Sequence, residues 1–205
     1  MARPAKPLQP TRDERRLVLA RYFIDAVSPM LAGGESYSDI SVERLITTVD
    51  VSRSTFYSYF DDKADLLRAM GEDVTQDLAE AGSHWFELGL PADREALRAA
   101  LRPLFDTYRR HQMILRSITD AASYDAGIRS LHAALVARAG AGLQDHLERL
   151  AAERPEPELD VQRTAVWLVW MLERGLYQVV APAGPDEVER LLGALVELVW
   201  RCLYA

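Results

Sequence analysis

Arg53, Ser54, Thr55, Tyr57 and Ser58 crowd into the stretch VSRSTFYSYFDDK, residues 51–63, which ends on Lys63. Their chemistry is that of donors to a polyanion with readable edges. Arg can donate two bonds to a guanine edge, and Ser or Thr can bond base edges or phosphate. A Tyr hydroxyl and a Lys ammonium suit phosphate oxygens. Ser41, at the start of the preceding apolar segment, adds its hydroxyl and the N–H groups of a helix start. At helical periodicity Phe56, Tyr59 and Phe60 share one side, able to bury against Leu45 and Val49. Arg53, Ser54, Tyr57 and Ser58 share the other. A solvated polar face with one surface tyrosine has the same periodicity, so spacing alone leaves both readings open.

The elements that must position these residues are marked by their end signals. Thr11 followed by Glu14 is a capping box, after which Leu17, Ala20, Ile24, Val27 and Leu31 repeat as one apolar stripe. Pro29 should kink the last turns of that helix and Gly33-Gly34 end it. Ser41 opens a short helix, VERLITTV; Val49-Asp50-Val51 makes a tight turn; Ser52 caps the next helix. Two short helices about such a turn form a helix-turn-helix pattern. Asp61 or Asp62 caps a longer helix with apolar positions from Leu67 to Leu88. Beyond Pro91, helices are expected over 93–110, from 113, and over 124–151, 160–180 and 186–203. The stretches AAERPEPELD and APAGP are the loops between the last of them. No alternating strand pattern occurs, so the expected fold class is all-α.

At 205 residues, 49% hydrophobic and 27% charged, the chain can hold one domain or two small ones. The single cysteine, Cys202, forms no intrachain disulfide and fits a reducing, cytoplasmic compartment. The run AVWLVWMLERGLYQVVA is interrupted by Glu173 and Arg174, so no membrane span is expected. The net charge of −7 hides an asymmetry. Residues 1–24 carry Arg3, Lys6, Arg12, Arg15, Arg16 and Arg21 against only Asp13 and Glu14. An acidic body with a basic end is compatible with local phosphate contact.

Residues 40–67, ISVERLITTVDVSRSTFYSYFDDKADLL, resemble the N-terminal DNA-binding signature of the TetR family of bacterial transcriptional repressors. Ser41-Val42, Leu45, Val51-Ser52, Thr55, Tyr57, Phe60, Lys63 and Leu67 carry the likeness. The form SxxTFYxYFxxK is particularly similar to the ethionamide-resistance type of repressor. Two positions depart from the family, which usually has Ala where Ile46 stands and Gly where Asp50 stands. Asp tolerates the left-handed conformation better than most residues, so the turn can survive. The bulkier Ile46 bears on the angle between the two helices.

The resemblance implies a domain plan: a flexible basic arm over 1–10, a helix-turn-helix DNA-binding domain over 11–61, and a ligand-binding and dimerisation domain over 62–205, with about nine helices. It also implies a homodimer on a palindromic double-stranded operator, released by a small hydrophobic or aromatic effector, with no cofactor. Trp85, Phe105, Tyr108, Ile118, Leu135, Trp167, Trp170 and Met171 lie on the helices that surround the ligand cavity in this family. Leu168, Leu172, Leu176 and Val179 on one helix, with Leu191, Leu195, Leu198 and Val199 on the next, give two apolar surfaces for a four-helix interface. The alternative is that the same surfaces complete a monomer core. Gly140 and Gly142, unfavourable inside a helix, mark close helix packing or room for a ligand.

An enzyme finds little support. His84, His111, His132 and His146 show no HxxxH spacing, and no GxSxG, Walker or GxGxxG motif occurs. No catalytic residue, metal site or cofactor is expected. A helical interaction module, or a regulator without ligand response, remains the alternative reading.

Overall fold

The computed structural model of the chain describes residues 11–153 and 160–204. The arm expected over 1–10, and most of the Pro-rich loop, lie outside the described residues. Among the described residues there are eight α-helices and no strand. The chain divides into two compact units, the first ending at Asp73 and the second beginning at Val74.

In the first unit, α1 (Arg12–Ala32) starts on the Thr11–Glu14 capping box, with both reciprocal bonds made. A 3-10 turn (Tyr37–Asp39) leads to α2 (Val42–Val49), capped by the Ser41 side chain on the Arg44 N–H. Asp50 ends α2 in the left-handed region at φ 56°, where its short polar side chain costs less than most. Ser52 then caps α3 (Arg53–Tyr59) through the Thr55 N–H. Phe23, Phe56 and Phe60 meet pairwise at centroid distances of 5.9, 6.0 and 5.5 Å. Ile40, Leu45, Leu66, Leu67 and Met70 complete this core. Leu66 to Met70 come from the first turns of α4 (Lys63–Phe86), which Asp62 caps through the Asp65 N–H. Those turns carry the first unit past residue 61, where the sequence places its end.

The second unit holds the rest of α4, then α5 (Arg94–Ala121), α6 (Ala126–Glu153), α7 (Val161–Gly175) and α8 (Pro185–Leu203). The break expected near residues 110–113 does not occur: α5 is continuous. The polar run at that point faces partly inward. His111 is buried and its Nε2 lies 2.9 Å from the Asp77 carboxylate. One helix therefore replaces two, and the count falls to eight. α5 packs on α6 and α8, and α6 packs on α7. α7 continues as a wider π-helical stretch, Leu176–Val180, before the turn to α8. Trp85 Nε1 donates to Tyr204 Oη at 3.2 Å, and Tyr204 Oη lies 2.8 Å from His146 Nε2. Burial, with Arg149 adding to it, pushes the His146 imidazole down to about 4, against a backbone bond to Phe86 that acts the other way. Among the described residues no helix is long and apolar enough to cross a membrane.

Candidate nucleic-acid interface and ligand cavity

The first unit presents α3 as a short helix with one fixed face. Phe56 and Phe60 are buried and Tyr59 is half-buried, while Arg53, Ser54, Tyr57 and Ser58 are exposed. Tyr57 leans edge-on against Phe56, and the Arg53 guanidinium sits 5.6 Å above the Tyr57 ring. Arg53 also pairs with Glu43 of α2 at 2.8 Å, both side chains remaining mostly exposed. Thr55 is half-buried, its hydroxyl 2.8 Å from that of Ser52, and the Ser58 hydroxyl donates to the Thr55 carbonyl. Ser41 is exposed and engaged as the α2 cap. Arg53, Ser54, Tyr57 and Ser58 thus share the outward face of α3.

Lys63 differs. Its Nζ donates to the carbonyls of Tyr37, Ser38 and Ile40 at 3.1, 2.6 and 3.1 Å. An ammonium has three N–H bonds, so in this structure none is left for a phosphate. Burial lowers its pKa from the ordinary lysine value, opposed by the charge of Asp39. In return the Tyr37 hydroxyl donates to the Lys63 carbonyl at 2.8 Å. Lys63 therefore fastens the 3-10 turn to the start of α4. Tyr37, the residue on the other side of this clasp, was not singled out in the sequence, because an isolated Tyr carries no periodic signal.

Three arginines of α1 are similarly engaged. Arg12 donates to the Ser58 carbonyl at 2.8 Å, and Arg16 reaches the Tyr59 carbonyl, Asp65 and Glu72 while lying 5.5 Å over the Phe60 ring. Arg21 binds Asp73 through two nitrogens. These arginines fix the C-terminal end of α3 and the start of α4.

The second unit contains a cavity of about 260 Å3 whose wall is drawn from α4, α5, α6, α7 and the π-helical stretch. Of the ligand-contact residues expected, Trp85, Tyr108 and Leu135 line it. Phe105 and Ile118 are buried beside other core residues and are not in its wall. Trp167, Trp170 and Met171 point away, with Trp167 78% exposed. The inward face of α7 is instead Val169, Leu172 and Glu173, continued by Leu176. The expected interface residues change accordingly: Leu168, Leu176 and Val199 are buried, Leu172 lines the cavity, and Leu191 and Leu195 are half-buried. Only Val179 and Leu198 of that set are exposed. The two faces of α7 were exchanged because both are apolar.

Two further features shape the cavity. Gly142 of α6 lies against the Phe86 ring, where an added Cβ would come within 2.9 Å of it. Gly140 faces open space. The Glu173 carboxylate stands in an otherwise mostly apolar wall, its Oε1 3.3 Å from His132 Nε2. Burial first, and the Glu173 charge second, raise the Tyr108 phenol well above its ordinary value, so it stays a neutral hydroxyl.

Known proteins align with both units. The family profile for bacterial regulatory proteins of the tetR family matches residues 28–70. The chain is 26% identical to the HTH-type transcriptional regulator EthR of Mycobacterium tuberculosis, covering 100% of this chain and 94% of that protein. It is 25% identical to EthR of Mycolicibacterium smegmatis, covering 97% and 89%. Among solved structures, the TetR-family regulator PfmR of Thermus thermophilus superposes with a TM-score of 0.69 at 22% identity, over 88% of this chain and 97% of that one. GusR of Salmonella enterica superposes with a TM-score of 0.68 at 15% identity, over 98% and 100%. The EthR proteins and PfmR are named as transcriptional regulators. The helix-turn-helix arrangement of α2 and α3, the match over residues 28–70 and a likeness that runs the length of the chain make the protein similar to the TetR-family transcriptional regulators.

Proposed function

We propose that this regulator is a cytoplasmic repressor that binds a palindromic operator as a homodimer and leaves it when a small apolar effector fills the cavity of the second unit. The observation that carries the DNA half is α3, which holds Arg53, Ser54, Tyr57 and Ser58 outward while Phe56 and Phe60 anchor it. Set in a major groove, Arg53 and the hydroxyls would read base edges, with Tyr57 and Ser41 on phosphates. The exposed Trp167, Trp170 and Met171 on α7, with Val179 and with Leu198 on α8, support a second copy of the chain as the partner. A two-fold dimer would set its recognition helices roughly 34 Å apart, one turn of DNA.

The cavity supports the effector half. α4 carries Met70 in the first core and Trp85 and Phe86 in the cavity wall on one continuous helix. Displacement at its C-terminal end by an effector would shift the population of DNA-competent dimers, with a coupling of about 1–3 kcal/mol. Selection of random duplex DNA on the purified chain, followed by anisotropy titration at several salt concentrations, tests the DNA half. A palindromic consensus bound with a steep salt slope, and weakened by Arg53→Ala and Tyr57→Ala, is the expected result. Binding without sequence preference and indifferent to both substitutions would overturn it.

A further inference from the structure

Glu173 is unusual among the residues that line the cavity. The wall around it is built from side chains such as Leu78, Leu135, Leu143 and Leu176. Its side chain is only 16% exposed. Oε1 meets His132, but the buried Oε2 has no hydrogen-bond partner among the described residues. The Arg174 Nε lies 3.6 Å from it, an ion-pair distance but beyond hydrogen-bond reach, and the Arg174 side chain is half-exposed, so solvent weakens that pair. A carboxylate offers acceptor sites on both oxygens, so this one retains capacity where water access is restricted. Resting on the effector-cavity reading above, we propose that the effector is an apolar molecule ending in a protonated amine, whose ammonium docks on Glu173.

Charge-assisted bonds to a carboxylate are stronger than neutral ones, and a low-dielectric surround accentuates the difference. That favours an amine over an alcohol of the same shape. Tyr108, in the same wall, adds a neutral hydroxyl and no competing charge. The other charged residue of the lining, Arg138, would favour an anionic ligand. It is exposed, with one guanidinium nitrogen 3.5 Å from the Thr75 carbonyl, so solvent screens it more than Glu173. The buried carboxylate decides the sign.

The test is calorimetric titration of the full chain with octylamine, octanol and octanoate, which share one apolar body. Octylamine should bind about tenfold tighter than octanol, and octanoate weakest. Glu173→Gln should remove that preference with octanol still bound, which also reports an intact cavity. If Glu173→Gln does not fold, Glu173→Asp replaces it, and a reduced ratio of octylamine to octanol affinity is the supporting result. Equal binding of octylamine and octanol, or octylamine affinity indifferent to the substitution, overturns the proposal and leaves the cavity reading standing. Preference for octanoate overturns it and assigns recognition to Arg138. Binding of none of the three overturns the cavity reading itself.

Discussion

The outward face of α3 and the cavity of the second unit handle polar groups in opposite ways. Around α3 almost every cation has a protein partner: Arg53 on Glu43, Arg44 on Glu35, Arg16 on Asp65 and Glu72, Lys63 on three carbonyls. In the cavity wall the Glu173 carboxylate keeps an oxygen without a hydrogen bond. The contrast separates two kinds of binding surface. A face that must meet a rigid polyanion gains from a framework whose own polar groups are satisfied and fixed. A mostly apolar cavity gains selectivity from a polar atom that only the right ligand completes.

The largest test of this contrast removes the anchor of α3. Phe56→Ala deletes the ring shared by Phe23 and Phe60, and should lower stability by about 3–5 kcal/mol, read as a shifted urea midpoint. Lys63→Met sharpens it. The clasp reading predicts a stability loss of about 2 kcal/mol with the salt slope of DNA binding unchanged. A phosphate contact would instead lower the slope and leave stability intact.

The second unit is tested by pH. The unfolded chain takes up a proton on His146 near pH 6.5 and the folded chain only near 4, so this contribution is complete above the first value and is lost as pH falls toward the second. Urea titrations across that window should show a slope of at most ~1.4 kcal/mol per pH unit from this group, absent in His146→Gln. The smallest effect comes from two glycines on one helix. Gly140→Ala meets nothing within 4 Å and should stabilise α6 by about 1 kcal/mol. Gly142→Ala must push the Phe86 ring out of place, so the same propensity gain is offset or reversed by crowding. Equal thermal shifts for the two would show that Phe86 yields freely.

What was legible in the sequence depended on whether a signal was one-sided. The bounds of α2 follow from Ser41 and Asp50 and the start of α3 from Ser52, because a cap or a left-handed residue acts on the backbone next to it. The outward set on α3 followed from aromatic residues on one side and polar ones on the other. α7 offers no such asymmetry: Leu168, Leu172 and Leu176 on one face confront Trp167, Trp170 and Met171 on the other. Periodicity finds a helix apolar on both faces but cannot choose which turns inward. The engagement of Lys63 was not legible for a different reason. Its carbonyl partners, Tyr37, Ser38 and Ile40, lie far from it in sequence and only the folded chain brings them under its ammonium.

The pairing of Arg53 with Glu43 and Tyr57 bears on how the regulator would search a genome. A free arginine has many rotamers, and a DNA contact must freeze them. Here the guanidinium is already held by a carboxylate on one side and a ring on the other. Exchanging Glu43 for a phosphate then gains little net attraction on arbitrary DNA, whereas a correctly placed guanine offers two directed bonds. The residue would be slow to linger at wrong sites without being slow to engage the right one, and the single glutamate would act as a brake on promiscuous binding.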